Sequence, residues 1–230
     1  MQASKSPITL PSAELPYSIG KSATTSEGVA AEEGKMLRSI ALAAITSLLC
    51  ACLPVTSKNP VGSTVGFKAD PQLEGFWSSD DRKGEDKTYM VVLDNGDGSM
   101  TLILANGGTD WQTFLAKTSR LGGHTFLDAR EILSGDKPAD DELAGQIVPV
   151  LYRVQGGTLS FSLLDDAKTA AAIRSGAAPG AIEPYRGMTG TQEDVRLTAD
   201  SISLDAFMQT PAGLALFASP AIQMKRVAGP

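Results

Sequence analysis

Lys87-Thr88-Tyr89-Met90-Val91-Val92-Leu93, the turn Asp94-Asn95-Gly96-Asp97-Gly98-Ser99, and Met100-Thr101-Leu102-Ile103-Leu104 form the stretch that decides the fold. Two runs rich in β-branched and apolar residues flank Asn-Gly and Asp-Gly, the dipeptides that supply positive φ in tight hairpins. The spacing predicts two antiparallel strands joined by a turn. The pattern then repeats. Residues 110–120 and 124–130 flank Leu121-Gly122-Gly123, and residues 147–154 and 158–164 flank Gln155-Gly156-Gly157. Successive hairpins at this spacing predict a mainly β chain, an antiparallel barrel or sandwich.

Two short helices are expected among the late strands. Asp165 or Asp166 is placed to cap residues 167–174, with Gly176 where a left-handed residue ends a helix. A second helix is expected over residues 204–209, stopping before Pro211. Residues 194–198 and 221–227 read as further strands. Residues 176–190, with Pro179 and Pro184, read as the longest irregular link, a rim or lid.

Upstream the chain changes character. Lys35 and Arg38 precede ten uncharged residues, 40–49, and then Leu49-Cys50-Ala51-Cys52. As a helix, ten residues span about 15 Å, roughly half a hydrocarbon core of ~30 Å, too short for a permanent span. No polar face recurs at helical spacing, so a buried amphipathic helix is disfavoured as well. The segment resembles a bacterial lipoprotein signal peptide, with Leu three residues before the modified cysteine and a small residue just before it. On that resemblance cleavage follows Ala51 and lipid is carried by Cys52; Cys50 fits the pattern less well. Leu53, not Asp, follows the cysteine, which the sorting rule of such lipoproteins associates with the outer membrane facing the periplasm.

The domain organisation follows from that reading. Residues 1–35 hold four glutamates and scattered Ser, Thr and Pro, unlike the short basic start of a signal peptide. Translation from Met36, with 1–35 a non-native extension, is the simplest account, and a disordered leader the alternative. Residues 36–51 are the expected signal peptide, 52–72 the lipidated cysteine with a flexible tether rich in Pro, Gly and Ser, and 73–230 the globular domain. Both cysteines fall within 50–52, so nothing after Cys52 can form a disulfide and the domain must rest on a hydrophobic core.

Gly75-Phe76-Trp77 at the start of the first strand resembles the Gly-x-Trp signature of lipocalins. In that family the Trp sits at the closed end of an eight-stranded barrel beneath a basic residue of the last strand, a position matching Arg226 or Lys225. Thr109-Asp110-Trp111 looks like the second lipocalin signature but lies too near Gly75. The two helices also fall differently from the single main helix of that family. Residues 159–165 and the helix ending Ile173-Arg174-Ser175-Gly176 resemble a group of uncharacterised bacterial lipoproteins. The expectation is therefore a lipocalin-like barrel of independent topology.

Chemistry-bearing constellations are sparse. His124 is the only histidine, beside Gly122-Gly123, and is expected at a sheet edge. Asp94, Asp97 and Ser99 read as hairpin chemistry, since Gly96 stands where a calcium loop needs an oxygen ligand. Asp140-Asp141-Glu142 reads as a solvated acidic loop, and Gly187-Met188-Thr189-Gly190 lacks the Lys of a phosphate loop. No cofactor and no metal is implied. A formal charge of −6 with no basic stripe argues against nucleic acid. The expected function is a non-catalytic interaction or structural module, held to the membrane through Cys52 and meeting an envelope protein partner. Its sign would be a contiguous exposed apolar patch. The alternative is a carrier of an apolar small molecule, in which Tyr89, Val91, Leu102, Leu104, Phe114, Phe126, Tyr152 and Phe161 would line a hollow interior instead of filling it. A hydrolase built around His124 or the acidic loop is the third reading.

Overall fold

The structure, a computed structural model, describes residues 54–79, 87–106, 111–139, 145–187, 190–219 and 221–227, all within the unit Ala43–Pro230. The expected signal peptide with Ala51 and Cys52, the Asp140-Asp141-Glu142 run and Met188-Thr189 lie outside the described residues. The strands in chain order are β1 Thr56–Ser57, β2 Gly75–Ser79, β3 Thr88–Asp94, β4 Ser99–Asn106, β5 Trp111–Leu121, β6 His124–Ser134, β7 Lys137–Pro138, β8 Val148–Gln155 and β9 Thr158–Leu163. Then follow helix α1 Asp166–Arg174, strands β10 Gly180–Gly187 and β11 Gly190–Leu197, helices α2 Ser201–Met208 and α3 Pro211–Leu214, and strand β12 Ile222–Arg226.

Eight strands close into an antiparallel barrel in the order β2-β3-β4-β5-β6-β8-β9-β12, with β12 returning to pair with β2. Each strand neighbours the next barrel strand in sequence, which is up-and-down topology. The three expected hairpins are β3–β4, β5–β6 and β8–β9. In the first turn Asp94 Oδ1 accepts the Gly96 N–H at 2.8 Å and Asp97 Oδ1 accepts the Ser99 N–H at 2.8 Å. Those carboxylates serve the turn itself, as Asx chemistry does.

Strand alternation feeds two separate cores. Inside the barrel Trp77, Met90, Val92, Met100, Leu102, Leu159 and Met224 pack together. Outside it α1, α2, α3 and the ribbon β10–β11 bury Leu121, Phe126, Val195, Leu197, Leu204, Met208 and Phe217. On β6, Phe126 enters the outer core and its neighbour Leu127 the barrel; on β8, Leu151 and Tyr152 divide the same way. The predicted inward set is therefore corrected. Leu102, Leu104, Phe114, Tyr152 and Phe161 do join the barrel core, Phe126 belongs to the outer one, and β3 turns Met90 and Val92 inward instead of Tyr89 and Val91. Residues 89–93 are apolar on both faces, so period-two alternation does not distinguish them.

Three further expectations change. The tether read over 53–71 is packed structure from Val55 onward: Val55 is 2% exposed and Val61 0%, and β1 pairs in parallel with β11. Its Pro, Gly and Ser content reflects tight turns and buried hydroxyls, not freedom. The expected lid over 176–190 is mostly strand, β10, hydrogen-bonded along its length to β11. The second helix begins at Ser201, not 204, because Asp200 accepts the N–H groups of Ile202 and Ser203, each at 3.0 Å. Pro211 then opens α3, where its missing N–H costs nothing.

Candidate functional site

One end of the barrel is closed by the chain segment that enters β2. Leu73 is buried in the barrel core, and its carbonyl accepts the Trp77 Nε1–H at 2.8 Å. Arg226 stands opposite Trp77 in the β12–β2 register, with its guanidinium carbon 4.3 Å from the indole centroid. Its two Nη groups donate to the carbonyls of Glu74 and Gln72. A Cβ on Gly75 would lie 2.6 Å from Arg226 Nη1, so the glycine gives the guanidinium its passage. Gly75, Trp77 and Arg226 thus meet at one place, and a cation over an indole face contributes about 0.5–2 kcal/mol. Lys225, the neighbour weighed beside Arg226, pairs instead with Ser78 and Thr158.

Beside this end two acids, neither singled out from the sequence, hold residues 61–64. Asp128 on β6 accepts the Val61 N–H at 3.0 Å; Asp205 on α2 accepts the N–H of Gly62 at 2.6 Å and of Thr64 at 2.9 Å, together with the Thr64 hydroxyl. Ser119 donates to the Val61 carbonyl at 2.9 Å. Gly62 has φ +83°, and a Cβ there would fall 2.1 Å from Ser119 Oγ. Asp128 is buried, and its Oδ2 has no hydrogen-bond partner among the described residues. Burial raises its carboxyl to about 8, aided by the Asp205 charge and opposed by the Val61 N–H. Asp128 is therefore mainly protonated at neutral pH. The signal in the sequence was an acid inside an apolar run, Phe126-Leu127-Asp128-Ala129.

Among the described residues no helix packs on the wall formed by β2, β3 and β4. Val91 lies between Phe76 and Ile103 in register, Val227 donates its N–H to the Phe76 carbonyl, and the Phe76 and Tyr89 rings stack at 5.6 Å with 3° between planes. Phe76 is 39% exposed and Leu93 46%. The displaced pair Tyr89 and Val91 thus belongs to an apolar outer surface.

A groove of about 980 Å³ lies at the closed end, lined by residues 65–72 and by β5, β6, β8 and β9. His124 lines it, exposed at the start of β6, and its imidazole has no hydrogen-bond partner among the described residues. Tyr152 donates to Asp70 Oδ2 at 2.7 Å, and its phenol is pushed up by burial and by that carboxylate. No described hydroxyl or carboxylate is held against His124 as a nucleophile or orienting acid would be. Among the described residues no three His, Asp or Glu side chains converge to hold a metal, and no described helix is long and apolar enough to cross a membrane.

The fold is that of a small closed up-and-down barrel carrying a helical and ribbon insertion between its seventh and eighth strands. Comparison of the chain with models of protein families, with characterised proteins and with solved structures gives no match.

Proposed function

We propose that the protein is an envelope lipoprotein, acylated at Cys52 after cleavage behind Ala51, whose barrel is a non-catalytic module that docks an envelope protein through the wall of β2, β3 and β4. The apolar run in which Phe76, Leu93 and Val227 are exposed and Tyr89, Val91 and Ile103 half-buried carries this reading. Monomeric surfaces seldom keep such a patch without a use for it. Packed interior side chains at Trp77, Val92 and Met100, all 0% exposed, favour a filled barrel over a carrier of apolar ligands.

The chain path favours a protein partner over the anchoring bilayer. Only Leu53 and Pro54 separate Cys52 from buried Val55, a reach of about 10 Å, so an acylated chain holds the domain close to its membrane. Residues 56–57 pack on the β8 side, where Ser57 bridges to Ile147. In an eight-stranded ring β3 is the strand opposite β8, so the apolar wall faces away from that attachment. Outer-membrane residence follows from Leu53 at the position after the cysteine.

Two measurements test the proposal. Radiolabelled palmitate should enter the native chain and not Cys52→Ser; equal labelling removes the anchor. A photo-crosslinking residue at Leu93 or Phe76 should give a discrete adduct in intact cells, whereas one at exposed Ala167 on α1 should not. Absence of adducts at both wall positions rejects the docking face.

A further inference from the structure

We infer that the groove at the closed end is a binding site for a phosphate-bearing small molecule, a site separate from the apolar wall and independent of the anchor. Lys68, Arg120 and Arg153 all line it, against the single carboxylate of Asp70. That carboxylate is already engaged, accepting the Tyr152 hydroxyl on one oxygen and the Gln72 N–H at 2.9 Å on the other. An excess of cations thus gathers in one concavity of a chain whose net charge is −6. Two other arginines are ion-paired, Arg174 with Glu193 and Arg196 with Asp194. Arg120 and Arg153 have no ion-pair partner among the described residues.

The cations are carried by barrel strands, not by a loose loop. Arg120, Thr125 and Tyr152 form one cross-strand row over β5, β6 and β8. Arg153 pairs with Ser160 of β9, just beyond the Thr125–Tyr152 pair that ends the β6–β8 ladder. Alternation along β8 sets Arg153 on the face of Leu151 and Arg120 on the face of Tyr152, so the two guanidinium groups border the groove from opposite faces of the sheet. Guanidinium groups present paired N–H donors that match phosphate oxygens, and Ser160, Ser162 and Gln72 add neutral polar contacts around them. A volume of about 980 Å³ exceeds that of a bare ion and sits at the upper end of small-molecule sites. The fitting class is a phosphate monoester or diester attached to a polar body, whether a free sugar phosphate or the headgroup of an anionic lipid.

Titration calorimetry on the purified full chain in neutral detergent tests this, with glucose 6-phosphate, glucose and inorganic phosphate as probes and flotation with phosphatidylglycerol or phosphatidylcholine vesicles as the second arm. Binding of glucose 6-phosphate but not glucose assigns a free ligand. Selective flotation with phosphatidylglycerol, lost in the variant below, assigns a headgroup. Arg120→Gln with Arg153→Gln should weaken whichever binding is seen at least tenfold, while Arg174→Gln, outside the groove, should leave it unchanged. Both groove arginines are exposed, and an unaltered thermal melt verifies that the double variant is folded. Failure of every phosphate probe to bind at millimolar concentration, or unchanged binding by the folded double variant, overturns the assignment.

Discussion

Asp128 makes the stability of this domain depend on pH in a way that one substitution isolates. Its carboxyl stands at about 8 in the folded chain against an ordinary value of 3.8. Between those two values the folded state keeps a proton that the unfolded state has released. The stabilisation is therefore complete below about pH 4 and is lost progressively as pH rises through the folded value near 8. Each pKa unit corresponds to about 1.36 kcal/mol, so the three units from pH 5 to 8 amount to roughly 4 kcal/mol at most, and relaxation around a newly formed charge reduces this to about 2–4 kcal/mol. Asp128→Asn keeps an oxygen for the Val61 N–H and has nothing to ionise. Urea unfolding of both proteins at half-unit steps from pH 5 to 8 should show the native midpoint falling relative to the variant. The difference between the two curves is the contribution of Asp128, because every other titrating group is common to both. Parallel curves, within about 1 kcal/mol across the range, would refute the argument that burial keeps this acid protonated.

Gly62→Ala should destabilise the domain by about 2 kcal/mol or more in the same assay, since it combines a positive φ with a Cβ inside the Ser119 side chain. Trp77→Ala should cost about 3–5 kcal/mol at the barrel's closed end, readable as a fall in urea midpoint; Arg226→Met should cost less, about 1–2 kcal/mol, because Trp77 stays buried when the cation over its ring is lost. Leu93→Lys should leave stability within about 0.5 kcal/mol, as Leu93 is 46% exposed, yet remove the adduct formed by a photo-crosslinker at Phe76. Retention of that adduct with unchanged yield would separate the wall from docking.

What could be seen in the linear chain was local. The hairpins were legible because Asn95-Gly96, Gly122-Gly123 and Gly156-Gly157 interrupt apolar alternation at short range, and α1 was legible because Asp165 and Gly176 bracket an alanine-rich run. The orientation of β3 was not. Tyr89 and Val91 look as suited to an interior as Met90 and Val92, and only the pairing with Trp77 and Leu104 settles which pair turns inward. Residues 53–71 misled for a related reason: their composition suits a linker, while their hydrogen bonds come from Ser119, Asp128 and Asp205, far along the chain. The candidate sites divided in the same manner. Gly75, Trp77 and Arg226 carried a recognisable pattern, whereas the groove joins residues 65–72 to four strands that no spacing relates.

By itself the sequence determined the strand-and-turn grammar, the absence of cysteine after Cys52 and the expectation of a lipidated anchor, because each depends on residues next to one another. Only the tertiary structure decided that the sheet closes through β12 on β2, that its two faces feed two cores, and that Asp128 and Asp205 clasp the entering chain. Those outcomes depend on which distant groups share a buried volume. A carboxylate's protonation or a ring's exposure is a property of that shared volume, not of the residue's neighbours in the chain.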